Sequence, residues 1–224
     1  EGPMTMRRAL MRSKNMVSIR ILQAVTPQVG QEWVTRFGFD ADKQPPYLPM
    51  ALGSGSVTPL QMAAAFAVFA NGGHLVQPYL ITRITDSNGR TLVETPAPEL
   101  TEENRVISAR NAFITGTMLQ DVARAGTAAR AQSTLKRSDL YGKTGTTNDN
   151  KDAWFVGFNP DIVTAVYIGF DKPRSMGRAG YGGTIALPVW VEYMRHALKG
   201  KESNGMKVPT GLVLRGGEYF YKER

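Results

Sequence analysis

The chain has 224 residues and a formal net charge of +8, and 42% of its residues are hydrophobic and 21% charged. Those fractions are typical of a folded domain and give no reason to expect wholesale disorder. Because the chain has no cysteine, disulfides, zinc–thiolate sites and a thiol nucleophile are excluded.

The first third of the chain predicts short helices separated by loops. Residues 5–12 predict one helix, and a second begins at about residue 17 and ends near Pro27. The triplet Ser13-Lys14-Asn15 stands between them, at a junction where side chains can project into a cleft. A third helix is predicted over residues 30–37, and the proline-rich residues 44–49 predict a loop.

The clearest helix is predicted over residues 59–71. Thr58 and Gln61 have capping-box spacing, and Pro59 occupies the first helical position. The sequence of this helix is apolar nearly all round, which predicts that the helix is buried. A hairpin over residues 81–84 and 91–94, a polar loop over 96–104 and a helix over 109–125 follow.

The remaining part of the chain predicts a sheet and a last helix. Strands are predicted over residues 140–147, 154–158 and 163–170, and the last two are apolar on both faces. Such strands are expected in the centre of a sheet that helices cover. The last helix is predicted over residues 185–198, and residues 201–224 predict a basic, glycine-rich tail. Helices followed by an antiparallel sheet and a final helix indicate an α+β fold.

The positive charge does not indicate nucleic acid as a partner. Basic residues are scattered along the chain, whereas nucleic-acid-binding proteins concentrate them in a patch or stripe. The charge instead favours anionic surroundings, such as acidic lipid headgroups or a polymer that carries carboxylates. No apolar run approaches the roughly 18 residues that a membrane-spanning helix needs.

Two short motifs carry the chemistry of the chain. Ser13-Lys14-Asn15 has the pattern S-x-N, and Lys143-Thr144-Gly145 has the pattern K-T-G, 130 residues later. In serine enzymes that bind penicillin, these are two of three catalytic elements, and the third is S-x-x-K with the nucleophilic serine. That third element is expected upstream of residue 13. We therefore expect the nucleophile to lie outside this chain.

One segment does spell S-x-x-K, between Ser133 and Lys136. It follows S-x-N and lies only seven residues before Lys143, in a polar stretch with no apolar helix to bury its lysine. Burial is what would lower the pKa of that lysine. We therefore interpret it as a coincidental surface segment.

Other titratable residues suggest no second chemistry. Glu99, Glu102 and Glu103 could resemble the deacylation base of class A β-lactamases, but they occur in a charged loop and are expected to be solvated. His74 and His196 are far apart in the sequence and lack acidic neighbours, so no metal site is predicted. No cofactor is predicted either.

Over nearly all of residues 1–200, the chain resembles the C-terminal part of the transpeptidase domain of class A (bifunctional) penicillin-binding proteins. Besides the two motifs, the resemblance includes residues 2–5, 53–60, 142–147, 152–158 and 182–188, in the expected order. It implies the fold shared by penicillin-binding proteins and serine β-lactamases, an antiparallel sheet covered by helices with a helical subdomain. It also implies a domain over residues 1–200 and a separate tail over 201–224.

The resemblance assigns catalytic roles to Ser13, Asn15 and Lys143. Ser13 would relay a proton between the nucleophile, Lys143 and the leaving amine. Asn15 would bond the amide of the substrate and the lysine of S-x-x-K, which fixes their geometry.

The resemblance also implies how the substrate, a peptide stem ending in D-Ala-D-Ala, is bound. Lys143 with the hydroxyls of Thr144 and Thr146 would hold its terminal carboxylate. Gly145 would let the substrate backbone lie against the strand, where a Cβ would obstruct it. The backbone N–H of Thr146 would be one oxyanion donor.

The reaction that follows from the resemblance is acylation of a serine with release of D-alanine, then attack by an amine of a neighbouring stem. This cross-links peptidoglycan, and β-lactams would acylate the same serine. The implied location is the outer face of the bacterial cytoplasmic membrane, with an anchoring helix and a glycosyltransferase domain upstream.

Three alternatives stay open. The domain could be a D,D-carboxypeptidase or β-lactamase-type hydrolase with water as acceptor, or a non-catalytic β-lactam-sensing domain. The chain could also be a split half that associates with an N-terminal half of the same protein.

Overall fold

The computed structural model describes residues 2–223, so Glu1 and Arg224, the outermost residues of the two predicted parts, lie outside the described residues. The helices are α1 (Met6–Met11), α2 (Asn15–Val25), α3 (Pro27–Thr35), α4 (Pro59–Ala70), α5 (Ala109–Ala125), α6 (Ala129–Leu135) and α7 (Leu187–Ala197). The strands are β1 (Arg83–Thr85), β2 (Thr91–Glu94), β3 (Tyr141–Thr146), β4 (Asp152–Asn159), β5 (Ile162–Gly169), β6 (Leu212–Arg215) and β7 (Glu218–Tyr221). This order confirms the predicted α+β class.

The central feature is an antiparallel sheet in the order β3-β4-β5. Helices α4 and α7 both contact β4 and β5, from opposite faces of the sheet. Phe66 of α4 lies on one face of β4, whereas the side chain of Phe155 on β4 points from the other face into the core with α7. The prediction of a central, covered position is correct for β4. It is wrong for β5 within residues 2–223, where β5 is the last strand of the sheet and Tyr167 is 41% exposed. Helices on both faces explain the apolar pattern of β5, because face burial does not require a strand on each side.

The main core lies between the sheet and α7. Phe155 on β4 and Trp190 on α7 are fully buried, and their rings meet edge to face with centroids 5.0 Å apart. The indole N–H of Trp190 donates to the carbonyl of Gly157 at 3.3 Å, so the burial of this ring leaves no polar group unpaired. Just before α7, Gly182–Ala186 forms a π-helical turn.

Helix α4 has the predicted cap but not the predicted burial. Thr58 accepts from the backbone N–H of Gln61, whose side chain accepts in turn from the backbone N–H of Thr58. Only Ala65 and Val68 are buried, whereas Leu60 is 61% exposed. The apolar surface of the helix is therefore larger than the area that the sheet and α5 cover.

The segment after residue 200, for which no regular element was predicted, contains the β6–β7 hairpin. Tyr219 of this hairpin packs edge to face on Phe113 of α5, with centroids 4.9 Å apart. Glu218 forms an ion pair with Arg7 of α1 at 2.7 Å, and Arg7 also pairs with Asp121 of α5 at 2.9 Å. The hairpin thus joins α1 and α5. Between residues 2 and 223, no helix has both the length and the apolarity to span a membrane.

We expect Phe155→Ala to lower the free energy of unfolding by about 3–5 kcal/mol, because it removes a fully buried ring and leaves a cavity. The matched control is Phe220→Ala on β7, whose ring is 47% exposed. Urea unfolding of both variants measures the difference. Equal losses in the two variants would contradict the proposed position of the core.

Candidate active site

Ser13 is presented by the turn between α1 and α2. The backbone N–H of Ser13 donates to the carbonyl of Leu10 at 3.0 Å, and that of Lys14 donates to Ala9 at 2.9 Å. Ser13 itself has a φ of +53°, in the left-handed region. A residue with a Cβ pays roughly 1–2 kcal/mol for that conformation. Strain of this kind is often found at functional sites, where the surrounding structure maintains it.

Lys143 lies on β3, and its ammonium group meets Ser13. The Nζ atom of Lys143 donates to Oγ of Ser13 at 2.7 Å and to the carbonyl of Thr144 at 2.9 Å. Burial lowers the pKa of Lys143 to about 8, because an ammonium ion loses hydration there. The two motifs that are 130 residues apart in the chain therefore converge on one hydrogen bond.

The alternation of β3 divides the K-T-G residues between the two faces of the sheet. Lys143 pairs with Val156 and Gly145 pairs with Trp154, and all four residues line one cavity, which Thr144 and Thr146 also border. Gly145 also fits closely, because a Cβ added there would lie 3.2 Å from Cβ of Trp154. The side chains at positions 144 and 146 consequently point to the other face.

On that other face, both threonine hydroxyls have a partner. Oγ1 of Thr144 lies 2.8 Å from Oγ1 of Thr127, which follows α5. Oγ1 of Thr146 accepts from the backbone N–H of Gly182 at 3.1 Å. Since a backbone N–H can only donate, the hydroxyl proton of Thr146 remains available for an acceptor.

The backbone N–H of Thr146 points to the free edge of β3. The neighbouring N–H of Thr147 donates to Asp152 at 3.1 Å, toward β4. Successive N–H groups of a strand point to opposite sides, so that of Thr146 points away from β4. Within residues 2–223, no strand pairs with β3 on that side. The edge is therefore free to bind an extended ligand or to offer an oxyanion donor.

A cavity of about 650 Å³ lies on the Lys143 face of the sheet. Its walls are the K-T-G strand, Met62 and Phe66 of α4, and the loop that contains Gly55. Gln44 holds this loop through a hydrogen bond from its side chain to the carbonyl of Ser56 at 3.1 Å. A volume of 300–1,000 Å³ with mainly apolar walls and few polar groups is typical of a ligand site. A second cavity of about 730 Å³ is lined by none of the predicted site residues.

Two other sequence candidates, Asn15 and the Ser133–Lys136 segment, take no part in the Ser13–Lys143 hydrogen bond. Asn15 is the first residue of α2, and no hydrogen bond of its side chain is found among residues 2–223. Ser133 and Lys136 are both exposed, on α6 and at its C-cap. An exposed lysine does not undergo the desolvation that lowers a pKa. The predicted surface position of this S-x-x-K segment is confirmed.

The sequence interpretation missed two residues that contact the K-T-G strand, Thr127 and Gly182. A signal for Gly182 exists, since it belongs to the Gly182-Gly183-Thr184 segment that was noted for its family pattern. An added Cβ at Gly182 would lie 2.6 Å from the carbonyl oxygen of Gly145, so only glycine fits. Thr127 has no comparable signal.

Comparisons with known proteins show the family to which the chain belongs. The sequence model of one protein family, the penicillin-binding protein transpeptidase domain, matches residues 1–195 of this chain. Penicillin-binding protein 1A of Neisseria gonorrhoeae is 57% identical over 225 residues, which cover all of this chain and 28% of that protein. Penicillin-binding protein 1A of Pseudomonas aeruginosa is 42% identical, and the match covers 95% of this chain and 31% of that protein. The chain thus spans less than a third of these relatives.

Solved structures give the same result for the fold. The crystal structure of penicillin-binding protein 1A from Haemophilus influenzae superposes with a TM-score of 0.89 at 34% identity, covering 99% of this chain and 40% of that one. The penicillin-binding protein PonA1 from Mycobacterium tuberculosis superposes with a TM-score of 0.75 at 24% identity, covering 98% of this chain and 62% of that one.

The lowered pKa of Lys143 can be measured directly. We expect its side chain to titrate with a midpoint near pH 8, because its ammonium is desolvated in the fold. NMR titration of the chain with labelled lysine side chains measures this midpoint, and Lys143→Arg identifies the signal by its loss. A midpoint above about 10, the usual range of lysine, would show that the group is solvated.

Proposed function

The chain belongs to the penicillin-binding protein transpeptidase domain family, and on this basis we propose that it forms most of the active site of a peptidoglycan D,D-transpeptidase. The site would act through a serine acyl-enzyme and would be the target of β-lactams. The observation that carries the proposal is the 2.7 Å hydrogen bond from Lys143 to Ser13. It joins the S-x-N and K-T-G motifs in one place.

Lys143 is suited to bind the terminal carboxylate of a stem peptide. With a pKa of about 8, it is mostly protonated near neutral pH. An ammonium ion in a partly desolvated site attracts a carboxylate more strongly than one in water. The hydroxyls of Thr144 and Thr146 would complete this subsite, and Gly145 would leave room for the backbone of the ligand.

Ser13 is suited to pass a proton to the leaving amine. A charged lysine has three donors and no acceptor, so Oγ of Ser13 must accept the hydrogen bond from Lys143. The O–H proton of Ser13 is then free to be donated elsewhere. As that proton leaves, Lys143 can replace it, and its lowered pKa makes this transfer easier. Asn15, two residues further on, would orient the substrate amide.

The nucleophilic serine is proposed to come from an S-x-x-K segment upstream of Ser13 in a longer protein. The share of 28% that this chain covers of its gonococcal relative is consistent with such a protein. Ser133 is a poor candidate because it is exposed on a seven-residue helix. The backbone N–H of Thr146, at the free edge of β3, would supply one oxyanion donor. The longer protein would be anchored at the outer face of the cytoplasmic membrane.

We expect this chain alone to resist labelling by fluorescent penicillin, because labelling needs the nucleophile. A protein that adds the upstream segment should be labelled, and gel fluorescence measures both. Labelling of the isolated chain at Ser133 would overturn the site assignment. Product analysis with and without an amine acceptor then separates a transpeptidase from a hydrolase, and a β-lactam sensor would release no stem-peptide product.

In the complete domain, we expect Ser13→Ala to lower the rate of acylation by about 10²–10⁴, the usual range for a lost proton-transfer group. Ser133→Ala is the matched control and should leave the rate unchanged. Stopped-flow acylation by a chromogenic β-lactam measures both rates. An unchanged rate in Ser13→Ala would remove Ser13 from the mechanism.

A further inference from the structure

Thr127 contacts both halves of the proposed site. It lies between α5 and α6, and its backbone N–H donates to the carbonyl of Met11 at 3.2 Å, at the end of the helix that precedes Ser13. Its hydroxyl lies 2.8 Å from the hydroxyl of Thr144 in the K-T-G motif. Its side chain is exposed, so it lies at the rim of the site.

The residue before it, Gly126, makes this position possible. A Cβ added to Gly126 would lie 2.4 Å from the carbonyl oxygen of Met11, which is far inside van der Waals contact. Only glycine lets the end of α1 approach the α5–α6 junction this closely. On the other side of Thr127, its carbonyl would lie 3.2 Å from a Cβ added to Gly183. The backbone of Thr127 is therefore hydrogen-bonded to Met11 on one side and packed close to Gly183 on the other.

The hydrogen bond between the hydroxyls of Thr127 and Thr144 can run in either direction, since either oxygen can donate. A bound carboxylate decides between them, because an ionised carboxylate only accepts hydrogen bonds. For Thr144 to donate its proton to the carboxylate, it must accept from Thr127. Thr146 is arranged in the same way, because its hydroxyl accepts from the backbone N–H of Gly182 and keeps its own proton for the carboxylate.

We propose that Thr127 is a positioning residue that directs the hydroxyl proton of Thr144 toward the terminal carboxylate of the ligand. This inference rests on the proposed function, since it assumes that the K-T-G strand binds a carboxylate. Thr127 acts through Thr144 and need not touch the ligand itself. Its loss should therefore weaken recognition of the carboxylate specifically and leave the Ser13–Lys143 contact in place.

The test uses the complete protein that carries this chain behind its nucleophile. Thr127→Val keeps the size of the side chain and the N–H bond to Met11 but removes the hydroxyl, and Thr127→Ser restores the hydroxyl. Thr134→Val, at an exposed position of α6, is the matched control. Benzylpenicillin and its methyl ester are the two probes. Mass spectrometry of the acyl-enzyme over time gives the acylation efficiency for each.

For benzylpenicillin, we expect Thr127→Val to lower the efficiency roughly 3- to 10-fold, the range for the loss of one hydrogen bond between neutral groups. Thr127→Ser and Thr134→Val should remain within about twofold of the parent, within the scatter of surface substitutions. With the methyl ester, Thr127→Val and the parent should be equal. Equal efficiency for benzylpenicillin, or the same loss with both probes, overturns the positioning role. A parent protein that neither probe acylates overturns the proposed function as well.

Discussion

The hydrogen bond between Lys143 and Ser13 is the contact on which the site depends, because it joins two parts of the molecule that are built by different rules. Lys143 is placed by the regular pairing of β3 with β4, so its position follows from the register of a sheet. Ser13 is placed by a turn with a positive φ, so its position follows from how α1 docks. A strained turn persists only where the surrounding structure holds it in place. The 2.7 Å contact therefore requires that other interactions hold α1 firmly.

Burial of the Lys143 ammonium, which the chemistry of the site requires, lowers the stability of the fold at neutral pH. Because the pKa of Lys143 is lowered, the folded chain binds fewer protons than the unfolded chain between about pH 8 and 10.5. The free energy of unfolding therefore gains from this group as pH rises through that window, and at neutral pH the buried ammonium destabilises the fold. The carbonyl of Thr144 and the hydroxyl of Ser13 offset part of this cost. A fold selected for stability alone would not bury an ammonium here, so the position of Lys143 is better explained by function.

Local patterns predicted the elements well, and contacts between elements are where prediction failed. The capping box of α4 and the ends of α5 are encoded within a few neighbouring residues, so both were predicted almost to the residue. The edge position of β5 depends on which strands lie beside it, which its own apolar pattern does not encode. Trp33 is 45% exposed although tryptophan is usually well buried, and the guanidinium of Arg36 lies 4.3 Å from the centre of its ring. The Ser13–Lys143 pairing was predictable only from the family pattern, and Thr127 is a common residue type that no pattern singles out.

The segment after residue 200 supplies part of the rigidity that the site requires. At one end, the hydroxyl of Ser203 donates to Asp139 at 2.8 Å, and the backbone N–H of Met206 donates to the hydroxyl of Tyr141 at 3.1 Å. These bonds anchor the segment to the start of the K-T-G strand. At the other end, Glu218 binds Arg7, six residues before Ser13. One segment thus connects the supports of both motifs, through contacts with more than 60 residues between the partners. Composition alone describes this stretch as basic and rich in glycine, and that description hides its role, because a few well-placed side chains fix it to two elements.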